Sequence, residues 1–492
     1  MSDAAKIAHL AIVGGGITGL AAAHAARARA RELGRPLTVT VLERSHRFGG
    51  SLITDRVDDF LLDGGPDSWV AAKPHATELA RALGLGGSLV GTNESTRRYY
   101  VAWGGRLHVV PEGLVLGVPT QIVPLALTSL FSWHGKIRMA LEPFVLTRRF
   151  DGDDDESIAD FASRRLGREA AERLVAPLLG GISAGDAGTL SIRAAFPQLV
   201  AMEREHGSLV LGMRAGARRR RSGSRGEGTS PFVSLERGVG ALVDALREQL
   251  TEDGVRLRSG TPVTDIAPGR RGWTLTLGGE DRIEADALLL AVPADVAARL
   301  LGAVDVPAAH ALATVHHAST ATVFLAYRTS DLDHPLDGVG FIVPRAPGRS
   351  LLAATWVSSK WAHRAPPGHA LVRAFFGGAS NEGVLARDDG ALTELARSEL
   401  RVIMGLGARP LWSRVYRFDR STPQMRVGHL VTMRTVRERL AGLAPAVRVA
   451  GGGYDGVGIS DCIRQGREAA RSLVQAVATM ATVAHSGHPR DR

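Results

Sequence analysis

Gly14, Gly16 and Gly19 stand in the spacing G-x-G-x-x-G, within Gly14-Gly15-Gly16-Ile17-Thr18-Gly19, directly behind a short apolar run from residue 8. The first glycine permits a tight turn, the second lets backbone approach a pyrophosphate, and the third lets a helix pack closely on a strand. A helix that starts there offers free N–H groups and partial positive charge. Glu43 ends the next β-rich run, Leu37 to Glu43, at the spacing where a carboxylate accepts a hydrogen bond from a ribose hydroxyl. That carboxylate also argues against a 2′-phosphate. The chemistry predicted is the binding of a dinucleotide.

The elements that must position these residues are a strand at 8–14, an alanine-rich helix from Thr18 to Leu33 that ends near Gly34, and a strand at 37–43, which together form a βαβ unit. From about Thr92 to Arg220 helix signals dominate, with one helix starting at Asp155 or Ser157 and another running from about Gly167 to Leu179. The acidic run 151–156 ahead of the first reads as a loop whose charge complements the dipole at that helix's N-terminus. The α/β pattern resumes near Ser234, alternating β-rich pieces fill Ala321 to Arg417, and the chain closes with strand, glycine loop and long helix. The fold class expected is α/β with α+β insertions: a Rossmann-type dinucleotide domain from 8–95, 232–310 and 440–480, a mainly helical domain at 96–215, and a mixed-sheet substrate domain at 311–439 with parts of 90–115.

A chain of 492 residues implies two or three domains, and 45% hydrophobic with 22% charged residues is an ordinary globular composition. The net charge of +10 comes from arginine, since only Lys6, Lys73, Lys136 and Lys360 are lysines. The densest basic run, residues 214–231, lies among Gly and Ser without an aromatic, which argues against nucleic acid and for a flexible loop; an acidic membrane surface or anionic partner is the other reading. A single cysteine, Cys462, excludes an internal disulfide and a cysteine-cluster metal site, and no metal site is expected. The opening residues do not read as a signal peptide and no apolar span is long enough to cross a bilayer, so a cytoplasmic location is expected. Leu114 to Phe131, broken by Pro119, Gln121 and Pro124, reads as a buried helix pair or as an apolar surface that rests on a bilayer or lines a tunnel. The tail at 481–492 is expected to be disordered.

FAD and NAD share the glycine spacing. Arg47 and the pair Gly49-Gly50 follow Glu43 closely, a second turn that suits a long cofactor, and Gly456-Val457-Gly458 opens the last helix. These stretches resemble the FAD elements of the amine-oxidase-like flavoproteins. Within that superfamily, residues 62–74, 97–113, 176–213, 423–429 and 453–463 resemble the oxygen-dependent porphyrinogen oxidases of haem synthesis, the protoporphyrinogen and coproporphyrinogen III oxidases. The resemblance spans residues 11–470 in order.

It implies FAD held by Gly14, Gly15, Gly16, Ile17, Thr18, Gly19, Glu43 and Arg44, with Gly50 and Ser51 along the cofactor and Gly65, Pro66, Asp67 and Ser68 beside the flavin. Val263 matches an adenine-binding backbone position, and Gly452, Val457, Gly458 and Ile459 would close the isoalloxazine end. The reaction implied is the six-electron oxidation of a porphyrinogen by molecular oxygen, with three hydrogen peroxide released, carried by the flavin rather than by a catalytic side chain. Arg98 and Lys73 match cations that meet substrate propionates. The stretches after Leu107 and Thr355 look closest to the coproporphyrinogen branch, with protoporphyrinogen IX the alternative. Ser51 and Met425 depart from the larger or aromatic residues frequent in relatives. An amine oxidase, a carotenoid-type desaturase or a non-enzymatic FAD protein are the rival readings. A peripheral membrane contact and a transient contact with the next haem-pathway enzyme are left open.

Overall fold

The computed structural model describes residues 7–96, 98–222, 230–270, 272–345 and 348–486. The chain opens with β1 (Ala8–Val13), α1 (Ile17–Glu32) and β2 (Leu37–Leu42). β1 and β2 pair in parallel from Ala8 with Leu37 to Val13 with Leu42. Their near-continuous apolar runs suit strands covered on both faces.

β3 (Tyr99–Trp103) and β4 (Arg106–Val109) then leave for a second sheet. A helical layer follows, with α2 (Ile122–Leu127), α3 (Trp133–Ala140), α4 (Ile158–Leu166) and α5 (Leu209–Ser222). α4 begins where the sequence predicts, with the Ser157 hydroxyl accepting from the Asp160 N–H. β5 (Arg256–Arg258) returns to the first sheet, the antiparallel meander β6 (Val263–Pro268), β7 (Trp273–Leu277) and β8 (Arg282–Ala285) follows, and β9 (Ala287–Leu290) pairs with β1.

β10 (His317–Arg328), β11 (Gly340–Ile342), β12 (Ala353–Trp356), β13 (His369–Gly377) and β14 (Trp412–Pro423) build the second sheet, with α6 (Asp389–Met404) between the last two. α7 (His429–Ala441), β15 (Val447–Val449) and α8 (Ile459–Ser486) end the fold. The first sheet is wholly parallel, in the order β5-β2-β1-β9-β15. The second runs β14-β10-β13-β12-β11-β3-β4 and is antiparallel except where β11 meets β3. Parallel and mixed sheets with a helical layer make the α/β class expected.

Two faces of the second sheet carry different loads. Tyr100, Trp356, Val372 and Phe376 pack under Leu392, Ala396 and Leu400 of α6. On the opposite face Phe324, Leu371 and Tyr416 meet Phe60 and Leu62 near one end, while Val101 and Ile342 join the helical layer near the other.

Three stretches differ from expectation. Residues 114–115 and 118–119 pair as a small ribbon, and only the short α2 follows, so Leu114 to Phe131 is not a buried helix pair. Pro124 sits in the first turn of α2, where proline is tolerated, and Ile122, Val123 and Leu127 stand 66%, 68% and 82% exposed. Arg214 to Ser222 forms the second half of α5 rather than a loop, as the helix propensity of alanine and arginine allows; residues 223–229 of that stretch lie outside the described residues. α8 continues through 481–486, so the tail expected from 481 is helical up to there, and residues 487–492 lie outside the described residues.

Candidate functional site

The turn between β1 and α1 leaves almost no room where glycine is demanded and open room where a ligand is expected. Gly14 has φ +106°, and a Cβ there would meet the Ala291 carbonyl oxygen at 2.2 Å. A Cβ on Gly19 would lie 1.9 Å from the Gly14 oxygen. At Gly16, by contrast, the nearest atom to an added Cβ is Gly50 Cα at 3.9 Å. Among the described residues no side chain caps α1, so the N–H groups after Gly16 are left for a ligand, with Ile17 and Thr18 buried behind them.

Glu43 is locked beneath this turn. One carboxylate oxygen accepts from the Gly15 N–H at 2.7 Å, and the other accepts from the Ser45 N–H and hydroxyl, each at 2.8 Å. Arg44 follows on the surface. The second glycine turn stacks on the first, with the Gly49 N–H donating to the Gly15 carbonyl at 2.8 Å and Gly16 bridged to Gly49. Arg47 shapes that turn by donating to the carbonyls of Phe48, Gly50 and Leu52. Ser51 then passes against Gly65, where a Cβ would meet its carbonyl oxygen at 1.9 Å.

The segment Gly64–Ser68 is held from several sides. The Gly64 carbonyl accepts from Thr322 Oγ1 at 3.1 Å and from Arg373 Nη2 at 2.7 Å, both on the second sheet. Pro66 is exposed, while Asp67 binds Lys360 Nζ at 2.7 and 2.9 Å, the Trp361 indole N–H at 3.0 Å and the Ser68 hydroxyl at 2.7 Å. Burial would raise the Asp67 carboxyl, but the Lys360 ammonium and the Arg373 guanidinium outweigh it and hold the group well below the usual carboxylate range. Asp63 is buried against Arg364 at 3.0 Å.

α8 points its first turn at the same region. Gly458 and Ile459 open it, with Val457 and Gly452 half-exposed beside them. The Gly458 N–H donates to Asp461 at 3.3 Å, and Lys73 Nζ donates to both Asp461 oxygens at 2.7 and 2.6 Å. Val263 starts β6, paired with Leu277 and half-exposed.

Arg98 goes elsewhere. It shares Asp337 with the Tyr100 hydroxyl, at 2.6 and 2.7 Å, and Tyr100 packs on Trp356 under α6. Strand register aligns Tyr99, Gly340, Thr355, Arg373 and Phe324 on the opposite face. The structure therefore brings Lys73 to the glycine-rich assembly and leaves Arg98 on the far side of the sheet. Between the Gly64 contacts and the helical layer, that inner face presents Ile342, Ala353, Thr355 and Phe375, all half-exposed. None of these four is an acid or base.

Sequence reasoning gives no site role to Lys360, Arg364, Arg373 or Asp63. Lys360 carried a signal, since a lysine in a chain that otherwise prefers arginine is a departure. The residues fit FAD: open space above Gly16, uncapped N–H groups on α1, a carboxylate fixed beside them, and a helix N-terminus at the far end.

The comparisons agree. Residues 17–474 match the family of flavin containing amine oxidoreductases. A coproporphyrinogen III oxidase from Bacillus subtilis is 36% identical over 95% of this chain and 98% of its own length. Another from Propionibacterium freudenreichii is 36% identical, covering 95% and 91%. A solved structure from Exiguobacterium sp. 255-15, assigned as a protoporphyrinogen oxidase, superposes with a TM-score of 0.84 at 33% identity over 96% of this chain and 99% of that one. Fold and site thus define an FAD-dependent oxidoreductase. The chain belongs to the flavin containing amine oxidoreductases and, among them, to the porphyrinogen oxidases.

Proposed function

We propose that this protein oxidises coproporphyrinogen III to coproporphyrin III in haem biosynthesis, removing six electrons in three two-electron steps and passing them to molecular oxygen as three hydrogen peroxide. The observation that carries this reading is 36% identity over 95% of the chain to a protein named for that substrate. FAD supplies the two-electron acceptor when bound. The chain holds it through the α1 N-terminus and Glu43, and orients it between the Gly64–Ser68 segment and α8. The half-exposed face of Ile342, Ala353, Thr355 and Phe375 suits the apolar body of a tetrapyrrole and keeps water from it. None of these four side chains is built for strong acid or base chemistry, in keeping with a role of binding and orientation.

Lys73 is the cation better placed for a propionate. It is 51% exposed, and a substrate carboxylate can replace Asp461 as its partner. Arg98 reaches the site only by leaving Asp337. Porphyrin fluorescence and peroxide yield, measured aerobically with coproporphyrinogen III and protoporphyrinogen IX at matched concentration, test the assignment. A preference for coproporphyrinogen with one peroxide per electron pair is expected; turnover of protoporphyrinogen alone reverses the choice of substrate.

We also infer that the helical layer rests on a membrane surface from the cytoplasmic side. Among the described residues no helix is long and apolar enough to cross a membrane. Ile122, Val123, Leu127, Trp133, Phe144 and Leu146 are each at least 66% exposed on neighbouring segments. Co-sedimentation with anionic vesicles, lost in a Leu127→Ser, Phe144→Ser, Leu146→Ser variant, is the expected result.

A further inference from the structure

Arg373 sits in β13 at 5% exposure, with its guanidinium 5.3 Å from the ring centre of Phe324 and 4.5 Å from that of Phe375. Its Nη2 donates to the Gly64 carbonyl, and its buried Nε has no partner among the described residues. The carboxylates whose fields reach it are already engaged: Asp67 with Lys360 at 2.7 Å, and Asp63 with Arg364 at 3.0 Å. Two carboxylates face three cations, which leaves one positive charge in excess under the Gly64–Ser68 segment. Burial pushes the guanidinium down to about 10, so it stays charged at neutral pH.

A buried charge without an ionic partner is costly, and a neutral side chain would fill this strand position without that cost. An unpaired donor on such a group points to an anionic partner that the chain does not itself supply. We propose that Arg373 is the fixed countercharge for the reduced form of FAD, raising the midpoint potential of the bound cofactor. An FAD that takes two electrons and one proton carries one more negative charge than before, and a cation fixed in a dry site favours that form. The inference rests on the reading of Gly64–Ser68 as the flavin's neighbour. Arg373 would act here by charge, with the Gly64 hydrogen bond setting its position.

The test is a reductive titration of FAD-loaded protein against a reference dye, with FAD stoichiometry and the melting curve recorded for each variant. Arg373→Gln keeps a donor for the Gly64 carbonyl and removes the charge; Arg373→Lys keeps the charge. A tenfold fall in the ratio of reduced to oxidised FAD for Arg373→Gln, about 30 mV for a two-electron couple, with Arg373→Lys close to the parent, is expected. An unchanged potential in Arg373→Gln overturns the proposal. So does an equal fall in both variants, which assigns the effect to shape, or a rise in KM at constant potential, which assigns the charge to a substrate carboxylate. If Arg373→Gln does not retain FAD, the Lys variant decides alone: a potential as far below the parent as free FAD overturns the proposal, and a parental potential supports it. Failure of the parent itself to bind FAD removes the reading of the segment, which the stoichiometry shows separately.

Discussion

Lys73 holds Asp461 through both carboxylate oxygens across 388 positions of sequence, joining the stretch after Gly64–Ser68 to the first turn of α8. The hydroxyl of Ser460 adds a bond to the Lys73 carbonyl at 3.0 Å. The loop after Gly64–Ser68 and the start of α8 are thus fastened to each other directly.

Lys73→Met is expected to raise KM for the porphyrinogen while leaving the melting temperature close to the parent, because an exposed ion pair contributes little to stability. Steady-state kinetics beside a thermal melt separate the two. A parental KM would take Lys73 out of the substrate site and leave it as a fastener only.

Gly16→Ala and Gly19→Ala should part company. Gly16 has φ −70° and open space where a Cβ would go, so alanine there keeps the apoprotein folded and obstructs the pyrophosphate. At Gly19 a Cβ collides with the Gly14 oxygen, so alanine disturbs the turn itself. FAD titration and circular dichroism of both apoproteins distinguish a lost ligand from a lost fold.

Removing the Glu43 carboxylate strands the Gly15 N–H and frees the Ser45 turn. Glu43→Ala should weaken FAD binding by about 2 kcal/mol, roughly thirtyfold in dissociation constant. Equilibrium dialysis of FAD measures it, and unaltered retention would contradict the role given to Glu43.

Glu142 and Arg165 form a fully buried ion pair in the helical layer, and Glu142 also accepts from Ser208 Oγ and the N–H groups of Leu209 and Val210, capping α5. Glu142→Ala leaves a buried guanidinium with less compensation, at a cost of about 3–5 kcal/mol. Limited proteolysis should show cleavage between residues 140 and 215 before the rest of the chain is attacked. Uniform cleavage would argue against a local effect.

Burial pushes the His429 imidazole down to about 4, and its buried Nε2 has no hydrogen-bond partner among the described residues. The unfolded chain takes up this proton near the usual value of about 6.5, so its contribution to stability is complete above that pH and is lost as pH falls toward 4. The melting temperature should decline across that window, and His429→Phe should flatten the decline. His317, lowered in the same direction by burial, adds to the slope.

Glycine spacing and the carboxylate at Glu43 were legible in the sequence because local backbone geometry dictates them. Ser157 likewise announced the start of α4. Arg373 and Lys360 were not legible, since their meaning depends on which loop a distant strand or turn meets after folding. Arg98 shows the same limit from the other side: alternation along β3 places it with Tyr100, and a one-residue difference in strand phase decides which face a side chain serves. Helix α5 was missed because glycine and serine beside the arginines suggested a loop, while the propensity of alanine and arginine prevailed up to Ser222.

α1 and α8 lie against one another, although one begins at Ile17 and the other at Ile459. β15, one of the two edge strands of the first sheet, also comes from this last stretch. During synthesis the glycine turn emerges early and must wait for more than 400 further residues, roughly 20–90 s at ribosomal speed, before α8 and β15 complete its surroundings. The nascent chain spends that interval with an unfinished nucleotide crevice and an uncovered sheet edge. The first sheet and the cover of α1 are therefore completed only by the last stretch of the chain.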